Sequence, residues 1–234
     1  MPGPAELTTV AVVEDHALFA EAIDVTLTLE GYDIRRIPVK ERAMSGQLLS
    51  SVIRMQPDIA LVDLDLGAGG DGTRLVQPLT QSGISVVIVT GSNDRARWGE
   101  CLRDGARAVL SKSSRLEEIL SAIRLVADGR HVHTPEERQG LITHFYTERE
   151  AVKTLRRKLD QLTSREGEVL GQLMDGRPVR DIANVSFVSE ATVRTQVKSI
   201  LAKLEVTSQL AAVGAAHRVG WHPPTRPSNG TREG

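Results

Sequence analysis

The sequence predicts an α/β domain built on a five-stranded, doubly wound parallel sheet, followed by a small all-α domain. From Leu7 to about Asp128, short apolar runs alternate with segments of helical periodicity, which is typical of βαβ units. Four of the apolar runs end in charged or hydroxyl side chains. Farther along, two amphipathic segments flank a short turn. Together these observations predict two domains within 234 residues.

The composition indicates a globular protein, with 40% hydrophobic and 25% charged residues. No apolar run reaches membrane-spanning length, and the start of the sequence lacks the basic and apolar regions of a signal peptide. We therefore expect a cytoplasmic protein that does not bind membranes. Its formal net charge of -1 gives no overall attraction to nucleic acid, so any DNA site must be a local patch. The single cysteine, Cys101, is expected to be a small core residue.

The first domain is predicted over residues 7–128. Its expected strands are Leu7–Val13, Asp33–Ile37, Ile59–Asp63, Ile84–Val89 and Ala106–Leu110. In the first helix, apolar residues recur at helical spacing at Leu18, Ala22, Val25 and Leu29, and Gly31 ends it. The remaining helices are expected at Arg42–Met55, Thr73–Thr80, Asp94–Arg103 and Leu116–Asp128.

Polar residues follow four of these strands. They are Glu14 and Asp15 after the first, Asp63 at the end of the third, Thr90 after the fourth, and Ser111 with Lys112 after the fifth. The carboxyl ends of parallel strands meet at one edge of the sheet, where α/β proteins bind ligands. We therefore expect these groups to converge, with Asp63 presented at the edge rather than buried.

This combination of groups favours phosphoryl transfer to Asp63. An aspartate accepts a phosphoryl group when a divalent metal and a cation neutralise the charge on the transferring oxygens. Mg²⁺ would be held by Asp15 and Asp63 directly, by Glu14 through water and by the carbonyl of Asp65. Lys112 and Thr90 would each contact a phosphoryl oxygen. His16 is expected to start a helix and not to bind the metal.

Residues 129–160 are predicted to form a helical linker, because Glu148–Asp160 carries the alternating charge of a solvated helix. Residues 161–221 then predict a helix-turn-helix. Thr163 and Glu166 fit a capping box at the start of its first helix. A short helix near Val179–Asn184 and a turn follow, and then a longer helix capped by Ser189.

The longer helix has two distinct faces. Its apolar stripe consists of Val193, Val197, Ile200, Leu201 and Leu204, and its opposite face of Ala191, Arg194, Thr195, Lys198 and Ala202. Within residues 189–203 there are three positive side chains and one negative one, a modest basic patch. A last helix, Ser208–Arg218, offers Leu210, Val213 and Ala216 as a dimer surface, with a face of the first domain as the alternative. Residues 222–234 are predicted to be disordered.

Several motifs resemble a known family. The first domain resembles the receiver domain of two-component response regulators, which has a flavodoxin-like fold. That resemblance rests on Val13-Glu14-Asp15-His16, Leu61-Val62-Asp63-Leu64, Val89-Thr90-Gly91 and Gly105-Ala106 with Ser111-Lys112. The second domain resembles the NarL/FixJ (LuxR-type) helix-turn-helix through Leu162-Thr163-Ser164-Arg165-Glu166 and Val188-Ser189-Glu190-Ala191-Thr192-Val193.

The resemblance implies a DNA-binding transcriptional regulator. Asp63 would be phosphorylated by a sensor histidine kinase with Mg²⁺, and a switch centred on Thr90 would change dimerisation and promoter binding. Arg194, Thr195 and Lys198 would face the DNA groove and Thr192 would lie near the DNA backbone. A homodimer reading two half-sites is expected.

Two departures from the family pattern leave alternatives open. The loop Leu66–Gly72 lacks the usual proline and is one residue longer, and Val109 stands where an aromatic residue is usual. Both favour an atypical receiver that works without phosphorylation. A different alternative is an aspartate-nucleophile phosphatase fused to a DNA-binding module, which would need Asp65 as general acid. We expect a regulator and not an enzyme.

Overall fold

This computed structural model describes residues 7–39 and 45–223. The chain divides into two compact units between Thr147 and Glu148, inside the segment 129–160 that the sequence assigns to a linker. The domain boundaries at 7–128, 129–160 and 161–221 stay predictions. Arg42–Met44 of the second predicted helix and residues 224–234 of the predicted tail lie outside the described residues.

The first unit contains the predicted five-stranded sheet. Its strands are β1 (Thr9–Val13), β2 (Asp33–Ile37), β3 (Ile59–Val62), β4 (Ser85–Thr90) and β5 (Ala108–Ser111). They are arranged in the order β2-β1-β3-β4-β5, and every neighbouring pair is parallel. Because β1 and β3 are neighbours and Val13 is paired with Val62, the residues that follow these two strands meet at one edge.

Helices cover both faces of the sheet. They are α1 (Ala17–Leu29), α2 (Ser45–Met55), α3 (Thr73–Gln81), α4 (Arg95–Arg103) and α5 (Leu116–Ala127). One hydrophobic cluster joins the sheet to α2, α3 and α4, and a second joins it to α1 and α5. Cys101 is buried in the first cluster as expected, and burial raises the pKa of its thiol to about 12.

Helix α1 forms where the sequence predicts it, but it buries a different face. Leu18 is 84% exposed and Leu29 is 83% exposed, whereas Ala20, Ile23 and Leu27 are buried. Both sets of residues recur at helical spacing, so periodicity alone could not decide between them. Ala20, Ile23 and Leu27 pack against the sheet, whereas Leu18 and Leu29 lie in an apolar stripe on the surface.

A long helix, α6 (Pro135–Asp160), begins within the first unit. There Leu141 and Phe145 are buried, and a Cβ added at Gly99 of α4 would lie 2.1 Å from the Leu141 carbonyl oxygen. The Arg138 guanidinium donates to carbonyl oxygens of Leu102 and Ala106, near the end of α4. This part of the predicted helical linker is therefore packed against the first unit.

The part of α6 within the second unit also differs from the predicted solvated helix. Leu159 is only 1% exposed, and Val152 and Leu155 pack against the same hydrophobic cluster. The charges of Glu148–Asp160 thus occupy only part of the helix surface. The charge pattern predicted a solvated helix and did not reveal its apolar stripe, because charged residues occur at every turn.

The rest of the second unit is all helical, as predicted. It contains α7 (Ser164–Met174), α8 (Val179–Ser186), α9 (Glu190–Leu204) and α10 (Gln209–Arg218). The capping box at Thr163 and Glu166 is present, and Ser189 caps α9. No helix in the described part of the chain has both the length and the apolar composition that a membrane span requires.

Helix α10 cannot offer the whole of its predicted dimer surface. Ala216 is fully buried in the core of its own unit, and Val213 packs against that core. Of the three residues, Leu210 alone is exposed.

Candidate functional site

Four side chains converge at the carboxyl edge of the sheet. Glu14, Asp15, His16 and Asp63 each offer a ligand atom, and these atoms all lie within 4.8 Å of one another. Glu14 and Asp15 directly follow β1, and Asp63 directly follows the neighbouring strand β3, which explains the convergence. His16 is the N-cap residue of α1, as expected, but its Nδ1 lies 2.9 Å from Asp15 Oδ1. That His16 does not bind the metal stays a prediction.

Lys112 links two of these acids. Its Nζ lies 2.7 Å from Asp63 Oδ2 and 2.7 Å from Glu14 Oε2. Burial alone would lower the pKa of this ammonium, but the hydrogen bonds to Asp63 and Glu14 outweigh it and raise the pKa. Lys112 therefore stays charged and neutralises part of the acidic cluster.

Asp63 lies at the predicted edge, but it is buried and not presented. The residue is 3% exposed, and Lys112 Nζ lies 2.7 Å from its carboxylate. Glu14 is equally enclosed, with 4% of its side chain exposed, whereas the Asp15 side chain is 26% exposed. Of these three carboxylates, Asp15 is thus the one most open to solvent.

Thr90, which was also predicted for this site, is fully buried at the end of β4. Its hydroxyl oxygen accepts a hydrogen bond from the Ser92 backbone N–H at 3.1 Å. The Lys112 backbone N–H donates to the Thr90 carbonyl oxygen at 2.8 Å. Thr90 and Lys112 are therefore held together by the pairing of β4 with β5.

The Asp65 carboxylate is not part of this cluster. Its Oδ1 accepts a 2.7 Å hydrogen bond from Nη1 of Arg97, a residue of α4 that the sequence analysis did not single out. Arg97 also donates to the Leu64 carbonyl oxygen and to Asp71 Oδ1. No local pattern pairs residues 32 positions apart in the sequence, so tertiary structure alone reveals this contact.

The second predicted site is the exposed face of α9. Ala191, Arg194, Thr195, Lys198 and Ala202 are all exposed, as predicted. In the opposite stripe Val193, Val197, Ile200 and Leu204 are buried, whereas Leu201 is half-buried. The Arg194 guanidinium lies 3.1 Å from Glu190 on the same helix. Such an exposed pair contributes only about 0.3–0.5 kcal/mol, so Arg194 is readily released to another partner.

The hydroxyl groups on this face also have partners. The Thr195 hydroxyl donates to the Ala191 carbonyl oxygen at 3.0 Å, and the Thr192 and Ser189 hydroxyl oxygens are 2.9 Å apart. Lys203 does not add to the basic patch, because its Nζ lies 2.6 Å from the buried Glu166. The exposed charge of α9 is therefore smaller than the sequence suggests.

Comparison with known proteins agrees with this two-part arrangement. Residues 10–124 match the family described as "Response regulator receiver domain", and residues 160–216 match "Bacterial regulatory proteins, luxR family". The chain is 30% identical over 216 residues to the "Probable transcriptional regulatory protein NarL" of Mycobacterium tuberculosis H37Rv, covering 91% of this chain and 95% of that protein. It is 27% identical over 216 residues to the "Transcriptional regulatory protein DesR" of Bacillus subtilis 168, covering 92% and 99%.

Among solved structures, the fold is similar to that of the RcsB response regulator of Salmonella typhimurium. The TM-score is 0.50 at 21% sequence identity, and the match covers 92% of this chain and 100% of that chain. Taken with the family matches, these relatives show that the chain belongs to the NarL/FixJ family of two-component response regulators, transcriptional regulators that carry a receiver domain and a LuxR-type DNA-binding domain.

Proposed function

We propose that Asp63 is the phosphoacceptor of a cytoplasmic transcriptional regulator and that a sensor histidine kinase phosphorylates it. One observation carries this proposal: Lys112 bonds the Asp63 carboxylate beside two further acids at the carboxyl edge of the sheet. In this proposal residues 7–128 form the receiver, residues 129–160 the linker and residues 161–221 the DNA-binding domain. Phosphorylation controls homodimerisation and promoter binding.

The acidic cluster fits Mg²⁺. Three carboxylates face a single ammonium, and hard oxygen ligands with an excess of negative charge are what this cation requires. Asp15 and Asp63 would bind it directly, Glu14 through water, and Asp65 through its backbone carbonyl. When bound, the metal neutralises charge on the transferring phosphoryl oxygens.

The chain's own residues then divide the remaining work. Lys112 stabilises one phosphoryl oxygen, since its ammonium already lies 2.7 Å from the Asp63 carboxylate. Thr90 donates its hydroxyl to a second oxygen and thereby links phosphorylation to the end of β4. The carboxylate of Asp63 attacks the phosphorus and the phosphodonor departs with its electron pair.

The two alternatives differ in their support. A phosphatase needs a general acid beside Asp63, but the Asp65 carboxylate is paired with Arg97 and 59% of its side chain is exposed. A receiver that works without phosphorylation is favoured by Val109, which is buried in the core and whose backbone N–H donates to Nε2 of His133. Val109 supplies no aromatic ring to swing inward.

The first experiment is incubation of the full chain with Mg²⁺ and acetyl phosphate, followed by intact mass measurement. We expect one added phosphoryl group, about 80 Da, which is absent in Asp63→Asn and retained in the matched control Asp175→Asn. No added mass in the wild-type protein, together with no response to beryllium fluoride, would favour the atypical receiver. Continuous release of phosphate from a phosphate ester would favour the phosphatase.

For DNA recognition we propose that Arg194, Thr195 and Lys198 enter the groove and that Thr192 lies at the DNA backbone. Arg194→Ala is expected to lose about 1–3 kcal/mol of discrimination between promoter and unrelated DNA if the guanidinium is bidentate to guanine. Lys198→Ala is expected to weaken binding to all sequences and to reduce the salt slope by about 1. Arg165→Ala on α7 is the control, and binding titrations at several salt concentrations measure all three variants.

A further inference from the structure

We infer that Arg97 is a positioning residue for the metal and phosphoacceptor site, which it supports by clamping the loop Leu64–Gly72 to helix α4. This inference rests on the proposed phosphorylation of Asp63, because it assigns a role in the same site. Arg97 itself touches neither Asp63 nor Asp15 in any described contact. It acts through the loop between them and α4.

The clamp consists of three hydrogen bonds from one guanidinium group. Nη1 donates to Asp65 Oδ1 at 2.7 Å, and Nη2 donates to the Leu64 carbonyl oxygen at 3.1 Å and to Asp71 Oδ1 at 2.9 Å. The planar guanidinium presents several N–H groups in fixed directions, and a lysine ammonium in this place could not reproduce that fork. One side chain therefore binds both ends of the loop.

Those ends are also joined to each other and to Asp63. The Gly72 N–H donates to the Leu64 carbonyl oxygen at 2.9 Å, and Asp65 and Asp71 form an antiparallel bridge. A Cβ at Gly72 would lie 1.9 Å from the Asp63 carbonyl oxygen, so the base of the loop packs against the phosphoacceptor backbone. A shift of the loop base would therefore move Asp63 or its neighbours.

The tip of the loop reaches the other side of the acidic cluster. A Cβ at Gly67, which has a φ of +52°, would lie 2.8 Å from Asp15 Oδ2. The loop thus extends from the backbone of Asp63 to the carboxylate of Asp15, the two proposed direct metal ligands. The clamp also pairs the Asp65 carboxylate with Arg97, and Asp65 is not among the four side chains that form the cluster. Its backbone carbonyl is the group that we propose for the metal.

Arg97 comes from α4, so the clamp ties the site to a helix that packs elsewhere in the first unit. Trp98 follows it directly, and its indole N–H donates to the Ser92 carbonyl oxygen at 2.9 Å, just after Thr90. Gly99 and Arg103 of the same helix contact Leu141 and Phe145 of α6. Trp98 therefore lies beside the clamp and can report on movement of α4.

The test measures Mg²⁺ binding to the full chain by isothermal titration calorimetry in Arg97→Ala, Arg97→Lys and the control Arg95→Ala. Removal of residues that orient metal ligands weakens metal binding about 10–100-fold. We expect at least about tenfold weaker Mg²⁺ binding for both Arg97 variants and no change for Arg95→Ala. Arg95 is an exposed arginine of the same helix, so it controls for the loss of one positive charge near α4.

The direction of the change separates positioning from charge. If Arg97 acted only by repelling the cation, Arg97→Ala would tighten Mg²⁺ binding and Arg97→Lys would leave it unchanged, and either result overturns the inference. Asp71→Ala removes one acceptor of the clamp without touching a proposed metal ligand, and a smaller loss in the same direction is expected. If circular dichroism shows that Arg97→Ala does not fold, the Asp71 variant replaces it in the test. Unchanged Mg²⁺ binding by the Asp71 variant would then overturn the inference.

A second readout uses Trp98 fluorescence in a Trp221→Phe background, since the chain has two tryptophans. Mg²⁺ with beryllium fluoride is expected to change Trp98 emission in the wild-type clamp and to change it less in Arg97→Lys. Equal changes of emission in both proteins would contradict the proposed coupling between the site and α4.

If Mg²⁺ binds but Asp63 gains no phosphoryl mass, the proposed function fails, while the calorimetry still decides the role of Arg97. A wild-type chain that binds no Mg²⁺ contradicts both.

Discussion

Each unit contains a lysine bonded to a buried carboxylate, yet the two clusters differ in their charge balance. In the first unit Lys112 faces Asp63 and Glu14, with Asp15 beside them. In the second unit Lys203 is paired with one carboxylate, that of Glu166. The first cluster has more negative than positive groups, whereas the second is neutral.

The clusters also differ in how completely their oxygens are bonded. Glu166 accepts hydrogen bonds from the Thr163 N–H and hydroxyl, from Ser199 and from Lys203, at 2.5–2.9 Å. Burial alone would raise its pKa, but these donors outweigh burial and lower the pKa of Glu166 to about 2. A fully bonded, neutral cluster stabilises a fold, whereas an acidic cluster with excess charge is suited to a cation.

The largest expected effect tests the structural cluster. Lys203→Met leaves Glu166 buried without its cation, and we expect the second unit to lose about 2–3 kcal/mol of stability, the size of a hydrogen bond to a charged group. Urea unfolding followed by circular dichroism measures the loss. A change below about 0.5 kcal/mol would mean that the hydroxyl and backbone donors suffice.

The matching change in the acidic cluster should be smaller and reversible. Lys112→Met leaves three carboxylates without their ammonium, and we expect a loss of about 1–2 kcal/mol that added Mg²⁺ restores. Mg²⁺ should also bind this variant more tightly than the wild-type protein, because a competing positive charge is gone. Lys203→Met serves as the control, since Mg²⁺ should not rescue it; equal rescue of both variants would erase the distinction between the clusters.

Acid should weaken the second unit through Glu166. Its folded-state pKa of about 2 lies below the ordinary value of 4.5, so its stabilising effect is complete above pH 4.5 and is lost as the pH falls toward 2. We expect a loss on the order of 1 kcal/mol by about pH 3. Glu166→Gln should show a flatter profile over the same range in pH-dependent thermal unfolding, and parallel profiles would contradict this assignment.

The smallest effect is expected for the stability of Asp63→Asn. Removing one of three clustered carboxylates relieves repulsion while one hydrogen bond to Lys112 is weakened, so we expect a change within about 0.5 kcal/mol. Thermal unfolding without Mg²⁺ measures it. A loss comparable to that of Lys203→Met would show that Asp63 is a structural residue like Glu166.

The sequence predicted some features of the acidic cluster and of the Glu166 cluster, but not all of them. Glu14, Asp15, Asp63, Thr90 and Lys112 were predicted to converge because the carboxyl ends of parallel strands share an edge, and the structure brings them together. The burial of Asp63 was missed, because strand position says nothing about what covers a side chain. The capping box at Glu166 was predicted from local spacing, but its bonds to Ser199 and Lys203 were not.

By itself, the sequence determined those structural features that depend on residues close together along the chain. Alternation of apolar runs, helix caps and strand-end residues specified the five-stranded sheet, the helix-turn-helix and the acidic edge. Tertiary structure alone decided which stripe of α1 is buried, how α6 packs and which partner Arg97 takes. These choices depend on groups far apart in sequence, whose distances are set only when the packed core brings their elements together.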